Sequence, residues 1–244
     1  MTLPDLSNQV AVITGASRGL GHGIAADWAA RGIQLALCAR STWDDAPAGA
    51  LVAEVDVSDA RSVADFARAT VERFGRIDLW LNNAGVLEPI VFVHDLESDA
   101  LRQHLAINAV GAFHGTQAFV RHLRQRVGEG RLINVSSGAA VAGYAGWGAY
   151  CMGKAALDRL TECVQLEEAG HGLRAWSVAP GVIDTAMQAT IRQTPVDRFP
   201  AVAKFHELKA NEAFNSPGYV ARELLELAYV RQPKDVVQRL TPER

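Results

Sequence analysis

Cysteine is scarce in this chain and odd in number: Cys38, Cys151 and Cys163 are the only three among 244 residues. Scattered thiols of this kind exclude a disulfide framework and a cysteine-based metal site, and they fit a reducing compartment. No stretch reaches the roughly 18 consecutive apolar residues of a membrane-spanning helix. Met1–Asp5 has neither the basic nor the apolar region of a secretory signal. Charge of one sign is lacking too, with 24 Lys and Arg against 27 Asp and Glu and a formal net charge of −3. That balance argues against nucleic acid and anionic membrane as partners. The expectation is a soluble, cytoplasmic protein that acts on a small molecule and needs no metal.

What is present alternates. Short apolar runs are followed by segments with helical periodicity along the whole chain. That order implies an α/β fold, a doubly wound Rossmann-type parallel sheet with helices on both faces. No repeat or linker interrupts it, so residues 1–244 are expected to form one domain. Strands are predicted at Gln9–Thr14, Ile33–Ala39, Leu51–Val55, Asp78–Asn82, Arg131–Ser136 and Leu173–Ala179, with a seventh near Val236 and Val237. Helices are predicted from Ile24, over Arg61–Phe74 with Ser58 or Asp59 as cap, and over Asp99–Arg124 with a bend near Gly111. Further helices are predicted over Ala149–Ala169, through most of Thr185–Asn211, and over Pro217–Arg231. The segment Arg40–Ala50, rich in Ala, Pro, Gly and Asp, leaves no helix between the second and third strands.

Two segments carry chemistry. Gln9–Thr14 runs directly into Gly15, Gly19 and Gly21 and then into a helix. Glycines there let the backbone approach a pyrophosphate, and the helix N-terminus presents free amides and a positive dipole end. Tyr150 and Lys154 stand four residues apart in a predicted helix and so share one face. A neighbouring cation favours the phenolate and is expected to draw the tyrosine pKa down from about 10. A phenol tuned in that way can donate a proton to a carbonyl oxygen near neutral pH.

Together these segments resemble the short-chain dehydrogenase/reductase family, and the resemblance covers essentially the whole chain. Gly15, Ser17, Arg18, Gly19, Leu20 and Gly21 match that family's cofactor loop. Asp56 and Val57 match its adenine-contacting pair, and Asn83, Ala84 and Gly85 belong to the motif that ends the fourth strand. Pro180, Gly181, Ile183 and Thr185 resemble the segment that holds the nicotinamide carboxamide. The resemblance implies a catalytic set of Asn108, Ser137, Tyr150 and Lys154, with Ser137 thirteen residues before the tyrosine and Ser136 as its competitor. In that set Tyr150 is the general acid and Ser137 a donor to the substrate oxygen. Lys154 also reaches the nicotinamide ribose, and Asn108 holds a water that links Lys154 to solvent.

Members of this fold that prefer NAD place an acid at the end of the second strand. Here that position is Ala39, followed by Arg40, and Arg18 offers a second guanidinium. Each could add roughly 1.5–3 kcal/mol on a 2′-phosphate, which points to NADP(H) as cofactor. Asp44 and Asp45 in the next loop work against such a site. The stretches Gly146–Ala156 and Asp184–Gln188 resemble the sepiapterin reductase and benzil reductase branch, which implies reduction of a ketone or diketone. Trp147, Tyr144, Leu87, Met187 and Ile191 are the expected apolar pocket wall. Two other readings stay open, a sepiapterin-type pteridine reductase and a non-catalytic NADP(H)-sensing protein. Broad apolar faces on the helices holding Asn108 and Tyr150 imply a homodimer, with a homotetramer as the alternative.

Overall fold

The strand segments are apolar at successive positions because both faces of the sheet are covered. In β1 (Val10–Thr14) every residue is buried, and the side chains alternate between two cores: Ala11 and Ile13 point to one, Val12 to the other. A computed structural model of the chain describes residues 3–243, so Met1 and Thr2 of the opening segment and Arg244 of the tail lie outside the described residues. The remaining strands are β2 (Gln34–Ala39), β3 (Leu51–Glu54), β4 (Leu79–Asn82), β5 (Gly130–Val135), β6 (Leu173–Ala179) and β7 (Val237–Arg239). They form one sheet in the order β3-β2-β1-β4-β5-β6-β7, and each neighbouring pair is parallel. The order reverses between β1 and β4. Loops leaving the carboxyl ends of these two strands diverge there and open a crevice.

Helices cover both faces. α1 (Gly19–Ala30) and α8 (Pro217–Glu226) pack on one side, where Trp28 Nε1 donates to the Ala221 carbonyl at 3.1 Å. α2 (Ala60–Phe74), α4 (Gly111–Leu123) and α5 (Gly148–Glu168) cover the other through Phe66, Phe119 and Val164. Asp59, not Ser58, caps α2 by accepting from the Arg61 amide at 2.9 Å. Asn82 donates to Asn134 at 2.8 Å, and Asn134 donates to Thr161 at 2.8 Å. These buried bonds lock β4, β5 and α5 together, and an interior amide without them would cost about 1–3 kcal/mol.

Three helix expectations need correction. The long helix is interrupted: α3 (Ser98–Leu105) ends in a π-helical turn at Ala106–Val110, and α4 starts only at Gly111. The 185–211 segment is two helices, α6 (Ala186–Gln193) and α7 (Val202–Ala210), with Pro195 and Pro200 in the break. Neither proline can donate to a helical ladder. α8 stops at Glu226, and a second π-helical turn over Leu227–Arg231 ends at Gln232 in the left-handed region, φ 41°. Between β2 and β3 no helix forms. Instead Trp43 packs against the first core, and His22 Nε2 on α1 meets Asp45 at 3.1 Å.

Candidate active site

The cradle at the crevice is built from the β1 and β4 ends. Thr14 Oγ1 accepts from the Asn83 and Ala84 amides at 3.0 and 3.1 Å. The Asn83 side chain donates to the Thr14 and Gly15 carbonyls at 2.9 and 3.1 Å. The side-chain nitrogen of Asn83 is thus used in holding the loop. A Cβ on Gly15 would sit 2.7 Å from Ala84 Cα, and one on Gly21 would sit 2.4 Å from Asn83 Nδ2 and the Gly15 carbonyl oxygen. Gly15 and Gly19 also have φ of 69° and 60°, which side chains rarely adopt. Arg18 precedes α1 without a side-chain cap, so the first amides of that helix stay free for an anion. This arrangement fits a dinucleotide pyrophosphate.

Other expected contacts line the same rim. Thr185 Cγ2 lies 3.4 Å from where a Gly19 Cβ would be. Pro180 and Gly181 are pinned by Asn215, whose amide donates to the Pro180 carbonyl at 2.8 Å, and Ile183 is buried. Leu20 packs partly buried against the first core. Asp56 Oδ1 is occupied by the Ser58 amide and hydroxyl at 2.9 and 2.7 Å, and these bonds, helped by nearby Arg40, keep its carboxyl below the usual range. The Val57 carbonyl accepts from His114 Nδ1 at 2.9 Å. Arg18 and Arg40 are exposed, and neither makes an ion pair among the described residues. Asp45, one of the two acids expected to oppose them, lies against His22 Nε2 on α1 at 3.1 Å.

The four side chains of the proposed catalytic set converge from β5, the π-helical turn and α5. Ser137 follows β5 in extended conformation, accepts from the Ala139 amide at 3.2 Å and faces the Tyr150 phenol. Ser136 turns into the interior instead. A Cβ on Gly85 would lie 2.8 Å from Asn108 Oδ1 and 3.7 Å from Lys154 Nζ, so both groups meet at that loop. Lys154 is 6% exposed; its Nζ donates to the Val135 carbonyl at 2.7 Å and lies 5.7 Å from the Tyr150 ring centre. Burial pushes the Lys154 ammonium down to about 8, against the pull of Asp158. The expected lowering of the Tyr150 pKa is reversed here. Burial raises it, the Ser137 hydrogen bond opposes that rise, and the ammonium is turned toward Val135. Asn108 uses both ends of its amide on Val86: Oδ1 accepts from the Val86 amide at 2.8 Å and Nδ2 donates to its carbonyl at 2.7 Å.

Comparison with known proteins decides what this geometry belongs to. A family model described as short chain dehydrogenase matches residues 9–196. The chain belongs to that family. Benzil reductase ((S)-benzoin forming) of Bacillus subtilis is 31% identical over 223 residues, which cover 88% of this chain and 91% of that protein. The Bacillus cereus protein of the same name is 37% identical over 149 residues, 60% of each chain. Among solved structures, the KRED1-Pglu enzyme superposes with a TM-score of 0.86 at 32% identity, covering 95% of this chain and all of that one. Aldohexose dehydrogenase of Thermoplasma acidophilum gives 0.85 at 23% identity over 98% of this chain and 94% of the other, a likeness of fold. This chain is therefore a short-chain oxidoreductase of the benzil reductase-like branch. It acts on alcohol or carbonyl groups of a small molecule with a nicotinamide cofactor.

In this short-chain dehydrogenase the substrate side differs from expectation. Leu87, Trp147 and Ile191 are buried in a third apolar cluster, with Tyr144 and Met187 packed against it. Phe205 and Phe199, the latter not singled out by the sequence reading, complete it, and Phe199 stacks on Trp147 at 4.5 Å. A cleft of about 670 Å³ lies beside this cluster, lined by Val86, Pro89, Ile90, His104, Thr190 and Arg198 among others. His104 and Asn215 are the polar residues that sequence reasoning missed. Both are buried and bonded to segments distant in the chain, and no local pattern marks them. Among the described residues no helix is long and apolar enough to cross a membrane.

Proposed function

We propose that this protein is a cytoplasmic, homodimeric NADPH-dependent carbonyl reductase acting on a ketone or diketone. Residues 1–244 form its single catalytic domain, with substrate-loop helices over about residues 185–215. The observation that carries this reading is that Lys154 and Asn108 meet at Gly85 of the cradle, Ser137 meets the Tyr150 phenol, and Asn108 is bonded to Val86 and His104, which line the 670 Å³ cleft. When bound, the cofactor supplies the hydride; Gly15 to Gly21, Asp56, Val57, Asn83 to Gly85 and Pro180 to Thr185 would hold it. Tyr150 gives its proton to the substrate oxygen. Ser137, already turned toward that phenol, donates a hydrogen bond to the same oxygen as it gains charge. Lys154 rests on the Val135 carbonyl and, with an ammonium that titrates near 8, can restore the proton to Tyr150 around neutral pH. Asn108 would hold the water that links Lys154 to solvent, and its side-chain nitrogen and oxygen already hold the Val86 edge in place.

The experiment follows NADPH absorbance with α-diketones, aromatic ketones, quinones and sepiapterin. Turnover of a diketone supports the reading, and turnover of sepiapterin alone would support the pteridine alternative. No turnover with tight NADPH binding would point to a sensor. Cofactor choice is tested by the Arg18→Ala/Arg40→Ala double variant. Its preference for NADPH over NADH is expected to collapse by at least tenfold, as loss of two charge-assisted contacts implies. Equal kcat/KM for both cofactors in the unaltered protein overturns the role of these arginines.

A further inference from the structure

His104 stands on α3 with 1% of its surface exposed, yet it borders the cleft and has no part in the proton path above. Its neighbours leave it only one protonation pattern. The Val86 amide is a donor, so it must face Asn108 Oδ1, and the Val86 carbonyl must face Nδ2. The second hydrogen of Nδ2 then points at His104 Nε2, 2.6 Å away, which must be a bare lone pair. The ring proton therefore sits on Nδ1 and is donated to the Glu88 carbonyl at 2.8 Å. One neutral tautomer satisfies all four bonds.

We infer that His104 is a positioning residue that fixes the Asn108 amide and, through it, the Val86–Glu88 edge of the substrate cleft. The substrate consequence rests on the reductase reading; the positioning itself does not. A second proton, on Nε2, would put two donors face to face. Asn108 could relieve this only by turning its amide over, and that would set donor against donor and acceptor against acceptor at Val86. One titration is thus transmitted to both hydrogen bonds of the loop. From α5, Tyr150 presents its ring in edge contact at 6.2 Å and Lys154 brings its ammonium; from the loop comes the Glu88 carbonyl. Burial first, and Lys154 to a lesser degree, hold the His104 pKa below its ordinary value, against the Glu88 carbonyl. The neutral form prevails at neutral pH, and the loop loosens only as the medium becomes acid.

Three variants separate the two bonds. In His104→Gln the amide oxygen takes the place of Nε2 and does not titrate. In His104→Asn the amide nitrogen takes the place of Nδ1 and keeps only Glu88. His104→Leu keeps neither. Hydrogen exchange at the Val86 amide, read by NMR in the protein without added cofactor, is expected to speed up about tenfold in the Asn and Leu variants, as for one lost hydrogen bond, and to stay slow in the Gln variant. With a diketone at saturating NADPH, KM is expected to rise more than kcat falls in Asn and Leu. The acid limb of the kcat/KM profile is expected to vanish in Gln. Should Leu fail to fold, the Gln and Asn pair, one methylene apart, carries the comparison. Val86 exchange in the Asn variant within twofold of the unaltered protein, or an acid limb that persists in Gln, overturns the inference. Absent turnover with the expected exchange pattern would sink the reductase reading and leave the role of His104 standing.

Discussion

Tyr150 and Lys154 share one helical face, yet burial moves their proton affinities in opposite senses, the phenol up and the ammonium down to about 8. Both shifts disfavour the charged form, as desolvation must. The unfolded ammonium keeps its proton up to about 10.5 and the folded one only to about 8. The unfolded chain therefore binds more protons between these values, and stability rises with pH across that window. Below it, the charged buried Lys154 costs roughly 3 kcal/mol, at 1.36 per pKa unit. Lys154→Met should remove that cost and leave the Val135 carbonyl without its donor, which takes back about 1–2 kcal/mol. The expected result is a dead enzyme with a melting point a few degrees higher at pH 7, an advantage that fades by pH 10. Calorimetry at the two pH values checks it. Tyr150→Phe tests the other partner. It should lower kcat at least a hundredfold while NADPH still binds, since general acid catalysis contributes about 10²–10⁴-fold. A variant that keeps more than about a hundredth of the rate would remove Tyr150 from the acid role.

At the level of elements, α6 and α7 are both tied to one carboxylate. Asp184, in the loop after β6, accepts from Lys209 on α7 at 2.6 Å and from Arg192 on α6 at 3.1 Å. Lys209 above all, with Arg192, holds the Asp184 carboxyl below its ordinary value of 3.8. The clamp is therefore intact at neutral pH and is lost only as pH falls through that lowered value. Salt is the better probe, because all three side chains are partly exposed and screened. Asp184→Asn should raise the carbonyl KM with little change in kcat, and high ionic strength should raise KM in the unaltered protein but not in the variant. Equal salt response in both would rule the clamp out. That α6 and α7 are separate helices was not legible from periodicity, because Pro195 and Pro200 break a stretch whose apolar spacing continues on either side. The strands, the glycine cradle and the Tyr150–Lys154 pair were legible because each is written in a few consecutive residues. The π-helical turn at Ala106–Val110 was not, since no residue type in that short stretch marks a widened turn. His104 stayed hidden for a different reason: its burial is created by Glu88 and Asn108, brought together only by the fold.

For the whole molecule, the broad apolar faces read on two helices divide once the sheet is in place. Phe119, Leu157 and Val164 are buried in this chain's own core and have nothing left to offer a partner. Val110 and Phe113 remain 42% exposed, Met152 51% and Leu166 85%. These four lie at α4 and α5, the helices expected to pair about a two-fold axis, where each patch would meet its own copy. A stable dimer buries roughly 800 Å² per subunit with an apolar centre, and two adjacent helices of 13 and 21 residues can provide such a face. The β7 edge, only three residues long, is a poor site for a second interface, which favours the dimer over a tetramer. Sedimentation equilibrium at micromolar concentration should give a mass of two 26.2 kDa chains. Phe113→Asp, which places a charge within the exposed apolar patch, should give a monomer that still binds NADPH. A single species at one chain mass in the unaltered protein, or a Phe113→Asp variant that remains dimeric, would move the interface elsewhere.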